Sequence, residues 1–268
     1  MKIAITGGSG RIGRGVTALA LAQGHEVVSI DRVLPEEGSP GVQFVQASIT
    51  NYAELEDAVR GCDALVHMAA LLDPNTPDYQ MHNVNVTGSF NALSAAARLG
   101  ITRVCQASSI NAIGGVNSRW PRYDYFPLDE RHPTYAEDAY SLSKWICEQQ
   151  GDMFARRYEH ITIASMRFHW VVPDWETTQR EHGEAHIKHL WAYTLLEAAA
   201  RACLLSLTAD FRGHEAFYIV APRTTESVPS LELAQRHFPN VPIRGDLAGN
   251  AGFFDCSKAE RILGWKHS

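Results

Sequence analysis

The sequence predicts an α/β protein built on a doubly wound parallel sheet, and three observations carry that prediction. Short apolar runs recur at residues 3–5, 27–30, 42–45, 64–67, 104–107 and 161–166. Their length and composition suit buried parallel strands. Helix-like segments at 13–23, 52–60, 84–99 and 139–158 separate most of them, as right-handed βαβ units require. Between the first run and the first helix stands Thr6-Gly7-Gly8-Ser9-Gly10-Arg11-Ile12-Gly13. Glycine is costly inside regular structure, so three at this spacing demand a sharp bend or a close approach to a ligand.

A strand, a glycine-rich turn and a helix together form the phosphate-binding start of a Rossmann-type fold. Gly7, Gly10 and Gly13 permit the turn, and the helix N-terminus turns free N–H groups and a positive dipole end towards a pyrophosphate. Arg11 and Ile12 sit inside the same turn. The second strand ends in Asp31, where an acid hydrogen-bonds the adenosine ribose and repels a 2′-phosphate. NAD is therefore the expected cofactor and NADP the less favoured one, although Arg11, Arg14 and Arg32 could receive such a phosphate.

Two further features carry chemistry. Tyr140 and Lys144 are four residues apart on a predicted helix, hence on one face. A nearby ammonium stabilises phenolate and suits a tyrosine for general-base work. The strand at 104–107 runs on into Ser108 and Ser109, at the carboxyl edge where open α/β sheets place their ligands. Ser109 is thus a candidate to orient a reacting oxygen.

The chain has 268 residues, 45% of them hydrophobic and 20% charged, enough for one domain with a sizeable core. Residues 1–172 read as the dinucleotide-binding core and 173–268 mainly as a small C-terminal substrate-covering lobe. In that lobe, 190–207, 230–237 and 257–263 look helical and 216–220 looks like a strand. A net charge of -6 argues against nucleic acid and anionic membranes as partners and leaves a small molecule. Five scattered cysteines without a CxxC pair read as reduced thiols, which predicts a cytoplasmic protein. No apolar run has the length of a membrane span, and the immediate strand pattern leaves no room for a signal peptide. His182, His186 and His189 have near-helical spacing but lie in an acid-rich stretch, so a polar helix face is expected and no metal site.

On these residues the chain resembles the extended-type short-chain dehydrogenases/reductases, the family of nucleotide-sugar epimerases, dehydratases and sugar dehydrogenases. The resemblance spans residues 6–13, Asp31, residues 67–70, 83–88 and 107–109, the Tyr140–Lys144 pair and residues 257–265. It implies Tyr140 as general base or acid. Lys144 would hold the nicotinamide ribose and lower the tyrosine pKa, Ser109 would bind the reacting oxygen, and Asn85 would support catalysis and cofactor. Along the cofactor it places Arg32, Ser48, Ile49, Met68, Ala69, Ala70, Ala107, Arg167 and Phe168. Serine at 48 departs from the acid usual there, which would weaken one adenine contact. The resemblance also implies a homodimer through the helices at 84–99 and 139–158.

Only 124 residues follow Lys144, short for a lobe that grips a nucleotide-sugar. The chain is similar in length to the compact uronate and aldose dehydrogenases, which oxidise a sugar at its anomeric carbon. Leu72, Ser109, Ile110, Asn111, His169 and Trp170 are the substrate candidates by this likeness, with Leu71, Trp175 and Arg180 near them. Leu72, Ile110 and Trp170 replace polar residues of the uronate enzymes, which predicts a less charged sugar or another secondary alcohol. The alternatives are an epimerase or dehydratase that retains its NAD, and a catalytically silent NAD(P)-binding sensor.

Overall fold

The computed structural model describes residues 1–36, 38–179 and 185–267. Its strands are β1 (Lys2–Thr6), β2 (Glu26–Asp31), β3 (Val42–Gln46), β4 (Ala64–His67), β5 (Arg103–Ser109), β6 (Thr162–Phe168), β7 (Val171–Val172), β8 (Thr194–Leu195) and β9 (Gly213–Ile219). Its helices are α1 (Arg11–Ala22), α2 (Tyr52–Val59), α3 (Asp78–Leu99), α4 (Ala139–Arg157), α5 (Trp175–Thr178), α6 (Ala185–Lys188), α7 (Leu196–Thr208), α8 (Ser230–His237) and α9 (Ser257–Leu263).

Seven strands pair in parallel in the order β3-β2-β1-β4-β5-β6-β9. Both faces are covered, and the two-residue strand period distributes side chains between them. Ile3 and Ile5 of β1 enter one core with Val16 of α1, Ala199 and Cys203 of α7, and Leu263 of α9. Ala4 enters the other with Leu55 of α2, Leu93 of α3 and Phe154 of α4. Strand order reverses between β1 and β4, which opens a crevice at the carboxyl ends of both. Every candidate element therefore ends at one rim.

Local signals set several boundaries. Asp138 caps α4 by accepting from Ser141 N–H at 2.9 Å, and Gly100 ends α3 in the left-handed conformation at φ 73°. α3 starts at Asp78, six residues before its apolar periodicity suggests.

Two expectations for the C-terminal part change. Residues 190–195 are not helical: Leu190 and Trp191 have φ of 53° and 50°, and Thr194 and Leu195 pair with β7. Thr194 Oγ1 donates to Ile219 O at 2.6 Å, which ties β8 to the end of β9. The segment expected to be mainly a covering lobe also completes the core, because β9 is the seventh sheet strand and α7 packs against α1. Alanines 198, 199, 200 and 202 are buried in this core, and Ala200 faces Gly15 of α1, where small side chains allow close approach. Trp265 closes the same core, with its Nε1–H donating to Ala198 O at 2.8 Å. A third cluster, with Phe126, Trp191 and Phe253, joins residues 110–128 to the C-terminal part beside the crevice.

Candidate active site

The crevice is a cleft of about 810 Å³ that runs from the glycine-rich turn to the end of β5. Gly7, at φ 68°, packs so closely on β4's exit that a Cβ would stand 2.7 Å from Ala69 N. α1 begins at the cleft wall with Gly10 as a cap that offers no side-chain acceptor, and its first turn holds no acid. Its leading N–H groups and dipole are thus available to an anion. Asp31 ends β2 with its carboxylate held by backbone donors, Oδ2 by Ser9 N–H at 3.1 Å and Oδ1 by Arg32 N–H at 2.7 Å. This donor set fits a dinucleotide.

Arg11, Ile12, Gly13, Arg32, Ser48, Ile49, Met68, Ala69, Ala70, Ala107 and Phe168 also line the cleft, as do Leu72, Ile110, Asn111, His169 and Trp170. Arg11 Nη1 donates across it to Val171 O at 2.6 Å.

Ser109, Tyr140 and Lys144 meet at the far end. Lys144 Nζ donates to Ala107 O at 2.8 Å and lies 5.7 Å from the centre of the Tyr140 ring. Burial pushes the Tyr140 phenol up to about 12, and the facing Ser109 hydroxyl pulls the other way. Lys144 does not counter this rise: desolvation of the phenolate dominates, and the Ser109 hydroxyl supplies the opposing pull. Burial also pushes Lys144 below its ordinary value, opposed by Cys147 and Glu148. Behind them His67, bonded through Nδ1 to Thr6 Oγ1 at 2.7 Å, is held neutral, with burial lowering it to about 3.

Three of the candidate side chains are committed to other partners. Asn85 does not line the cleft: its Oδ1 accepts from Leu71 N–H at 2.7 Å, and its Nδ2 donates to Leu71 O and Ser143 Oγ, each at 3.1 Å. Both ends of the amide are occupied in fixing the 70–72 loop to α4. Arg167 is buried behind β5 against Glu148, at 2.8 Å, and does not reach the cofactor wall. His169 reaches the cleft with both ring nitrogens committed, Nδ1 to Trp170 N–H at 2.6 Å and Nε2 to His189 O at 2.9 Å. Burial holds it well below its ordinary pKa, so it offers a substrate only its ring face.

Trp175 stands away from the cleft against Tyr193, 5.4 Å between ring centres. Arg180 and His182 lie outside the described residues. His186 and His189 have ring centres 6.1 Å apart, and no cluster of three metal-ligating side chains occurs among the described residues. No helix among them is long and apolar enough to cross a membrane.

Sequence reasoning missed Val116, Asn117 and His189 as lining residues. The pair Gly114-Gly115 is the signal that could have found the first two, since Gly114 turns the chain back over the site at φ 80°.

Residues 3–208 match the profile of the family described as the NAD dependent epimerase/dehydratase family. The chain belongs to that family. NAD is the family's cofactor, and the glycine-rich turn and Asp31 are this member's fit to it. The L-arabinose 1-dehydrogenase (NAD(P)(+)) of Haloferax volcanii is 26% identical over 200 residues, 71% of this chain and 76% of that protein. Mycobacterium tuberculosis has an uncharacterised relative, 38% identical over 109 residues, of which this chain spans 12% of the length. Among solved structures, a mutated uronate dehydrogenase superposes with a TM-score of 0.75 at 19% identity, covering all of this chain and 81% of that one. A short-chain dehydrogenase/reductase superfamily protein from Agrobacterium tumefaciens with bound NAD gives 0.76 at 20% identity, covering 100% and 93%. At such identities the superpositions establish the fold.

Proposed function

We propose that this family member transfers hydride between NAD and the hydroxyl-bearing carbon of a small sugar or sugar-like alcohol. The observation that supports this reading is the convergence of Ser109, Tyr140 and Lys144 on the same cleft as the glycine-rich turn and Asp31. Gly7, Gly10, Gly13 and the start of α1 would hold the pyrophosphate, Asp31 the adenosine ribose, and Ser48 and Ile49 the adenine end. Met68, Ala69, Ala70, Ala107 and Phe168 wall the remainder. Bound NAD supplies a two-electron hydride acceptor, or its reduced form a donor.

Tyr140 takes the hydroxyl proton in oxidation and returns it in reduction. Ser109 Oγ hydrogen-bonds the reacting oxygen and holds it beside the phenol. Lys144 supplies the positive charge next to Tyr140 and would hold the nicotinamide ribose. Asn85 acts at one remove, through the 70–72 loop.

Leu72, Ile110 and Trp170 give the substrate end an apolar lining, and Asn111 and Asn117 add amides. Lys144 is the formally charged lining side chain beside Ser109 and Tyr140, and it is tied to Ala107 O. This favours an uncharged sugar or secondary alcohol over a uronate.

The test is near-ultraviolet absorbance of reduced nicotinamide with NAD or NADP and a panel of aldoses, uronates, deoxy sugars and secondary alcohols. Net NADH formation with one class is the expected result. Sugar isomerisation with no net NADH would replace this reading by an epimerase, and tight NAD binding with no turnover by a sensor.

The raised Tyr140 pKa sets a pH dependence. A phenol titrating near 12 is protonated at neutral pH, which serves reduction and starves oxidation of base. Oxidation is expected to accelerate by up to about tenfold per pH unit between pH 7 and 9, while reduction does not. Initial rates in both directions check this, and a flat oxidation profile would remove Tyr140 from the base role.

The reading extends to a homodimer through α3 and α4. Phe90 on α3 and Leu142 on α4 are exposed apolar side chains on these mutually packed helices. Light scattering at micromolar concentration is expected to give twice the chain mass, and a monomer would refute the dimer.

A further inference from the structure

α4 carries a third buried ionisable group in line with the two at the cleft. Tyr140, Lys144 and Glu148 follow one another at four-residue steps and so share a helix face. Glu148 is 4% exposed and does not line the cleft. Its Oε1 accepts from Ser108 Oγ at 2.5 Å and from Arg167 Nε at 2.8 Å, and its Oε2 accepts from Arg167 Nη2 at 2.8 Å. Ser108 is the residue before Ser109 on β5, and its register partner on β6 is Arg167. One carboxylate thereby links the helix of Tyr140 and Lys144 to the strand end of Ser109.

The charges point the same way. Lys144 is 3% exposed and Arg167 6%, so two cations are buried near one buried carboxylate, Arg167 in direct contact and Lys144 one helix turn away. A buried cation that loses its counter-charge is disfavoured and sheds its proton where it can. Arg167 cannot do so, whereas a lysine does so readily.

We infer, resting on the hydride-transfer reading above, that Glu148 is a positioning residue for the reaction. Through Ser108 it holds Ser109 against the Tyr140–Lys144 face, and its negative charge keeps the Lys144 ammonium protonated. The groups that face Glu148 are Ser108 on β5, Arg167 on β6, His214 and Tyr218 on β9, and Lys144 and Cys147 on its own helix. His214 is itself bonded to Asp152 at 2.8 Å on α4 and to Ser165 on β6 at 2.7 Å. Those that face Lys144 are Cys147 and Glu148 on α4, His67 on β4 and the Tyr140 ring.

Two variants of the full chain separate the charge from the link. Glu148→Gln removes the charge, and Ser108→Ala removes the link and leaves the charge. The Lys144 titration is read directly by NMR of side-chain-labelled lysine, with Lys144→Arg to assign the signal, and turnover is followed alongside.

Glu148→Gln is expected to lower the Lys144 midpoint by about one pH unit or more. Ser108→Ala is expected to leave that midpoint in place and to lower kcat about tenfold, with substrate KM within about twofold. An unmoved midpoint in Glu148→Gln, or wild-type kcat in Ser108→Ala, overturns the assignment. Should Glu148→Gln fail to fold, Ser108→Ala still decides the link to Ser109, and a Lys144 that is already neutral at pH 7 in the wild-type chain would overturn the charge. A wild-type chain that turns over nothing defeats the hydride-transfer reading instead, and the Lys144 titration still reports on the charge.

Discussion

Tyr140→Phe is expected to lower turnover by about 10²–10⁴-fold while NAD binding stays within about twofold. The substitution removes one oxygen and leaves the ring between Ser109 and Lys144. Lys144 keeps its hydrogen bond to Ala107 O, and the glycine-rich turn and Asp31 lie at the other end of the cleft. The polar side chains named around the phenol are already engaged. Ser109 Oγ already accepts from Asn111 N–H at 3.1 Å, His169 has both nitrogens committed, and Lys144 must stay charged to do its work. Steady-state absorbance gives the turnover and protein fluorescence quenching gives the NADH affinity. Turnover above about a tenth of wild type would remove Tyr140 from the proton-transfer role, and parallel loss of binding would mark it as a cofactor contact.

Gly13→Ala is expected to weaken NAD binding by at least about a hundredfold, roughly 2.8 kcal/mol. A Cβ built at Gly13 would stand 2.2 Å from Gly7 O and 2.8 Å from Gly8 Cα, both backbone atoms of the turn that has to bend around the phosphates. Rotating a side chain cannot relieve that overlap. The turn must open or the first turn of α1 must withdraw, and either moves the N–H groups that face the cleft. Gly38→Ala is the control, because nothing lies within 4 Å of its Cβ position. Calorimetric titration of the soluble variants with NADH reads both. Affinity within about threefold of wild type for Gly13→Ala would mean that the turn does not cradle the cofactor.

Local spacing carried most of the cleft. The glycines, Asp31 and Ser109 stand at strand-end positions that follow from chain order alone, once a strand–turn–helix unit is recognised. Tyr140 and Lys144 share a helix face by periodicity. Arg167 and Phe168 show where such reasoning stops. All seven residues of β6 are buried, so no polar alternation marks which side chain faces the cofactor and which faces α4. Phe168 takes the cleft, and Arg167 takes the carboxylate of a residue nineteen positions earlier. Asn85 was similarly ambiguous, because its partners, Leu71 and Ser143, come from two separate segments.

The sequence by itself determined the parallel α/β class, the phosphate-binding turn, the acid at the end of β2 and the shared helix face of Tyr140 and Lys144. Each of these depends on residues within a few turns of one another, where backbone geometry and periodicity leave one arrangement. Only the tertiary structure decided that residues 213–219 complete the sheet, that His169 is locked neutral, and that Tyr140 is made less acidic by burial although an ammonium is near. Those outcomes depend on partners far away in the chain and on how much water the packed site excludes. Neither quantity is encoded in local spacing, because both arise only when distant segments close on one another.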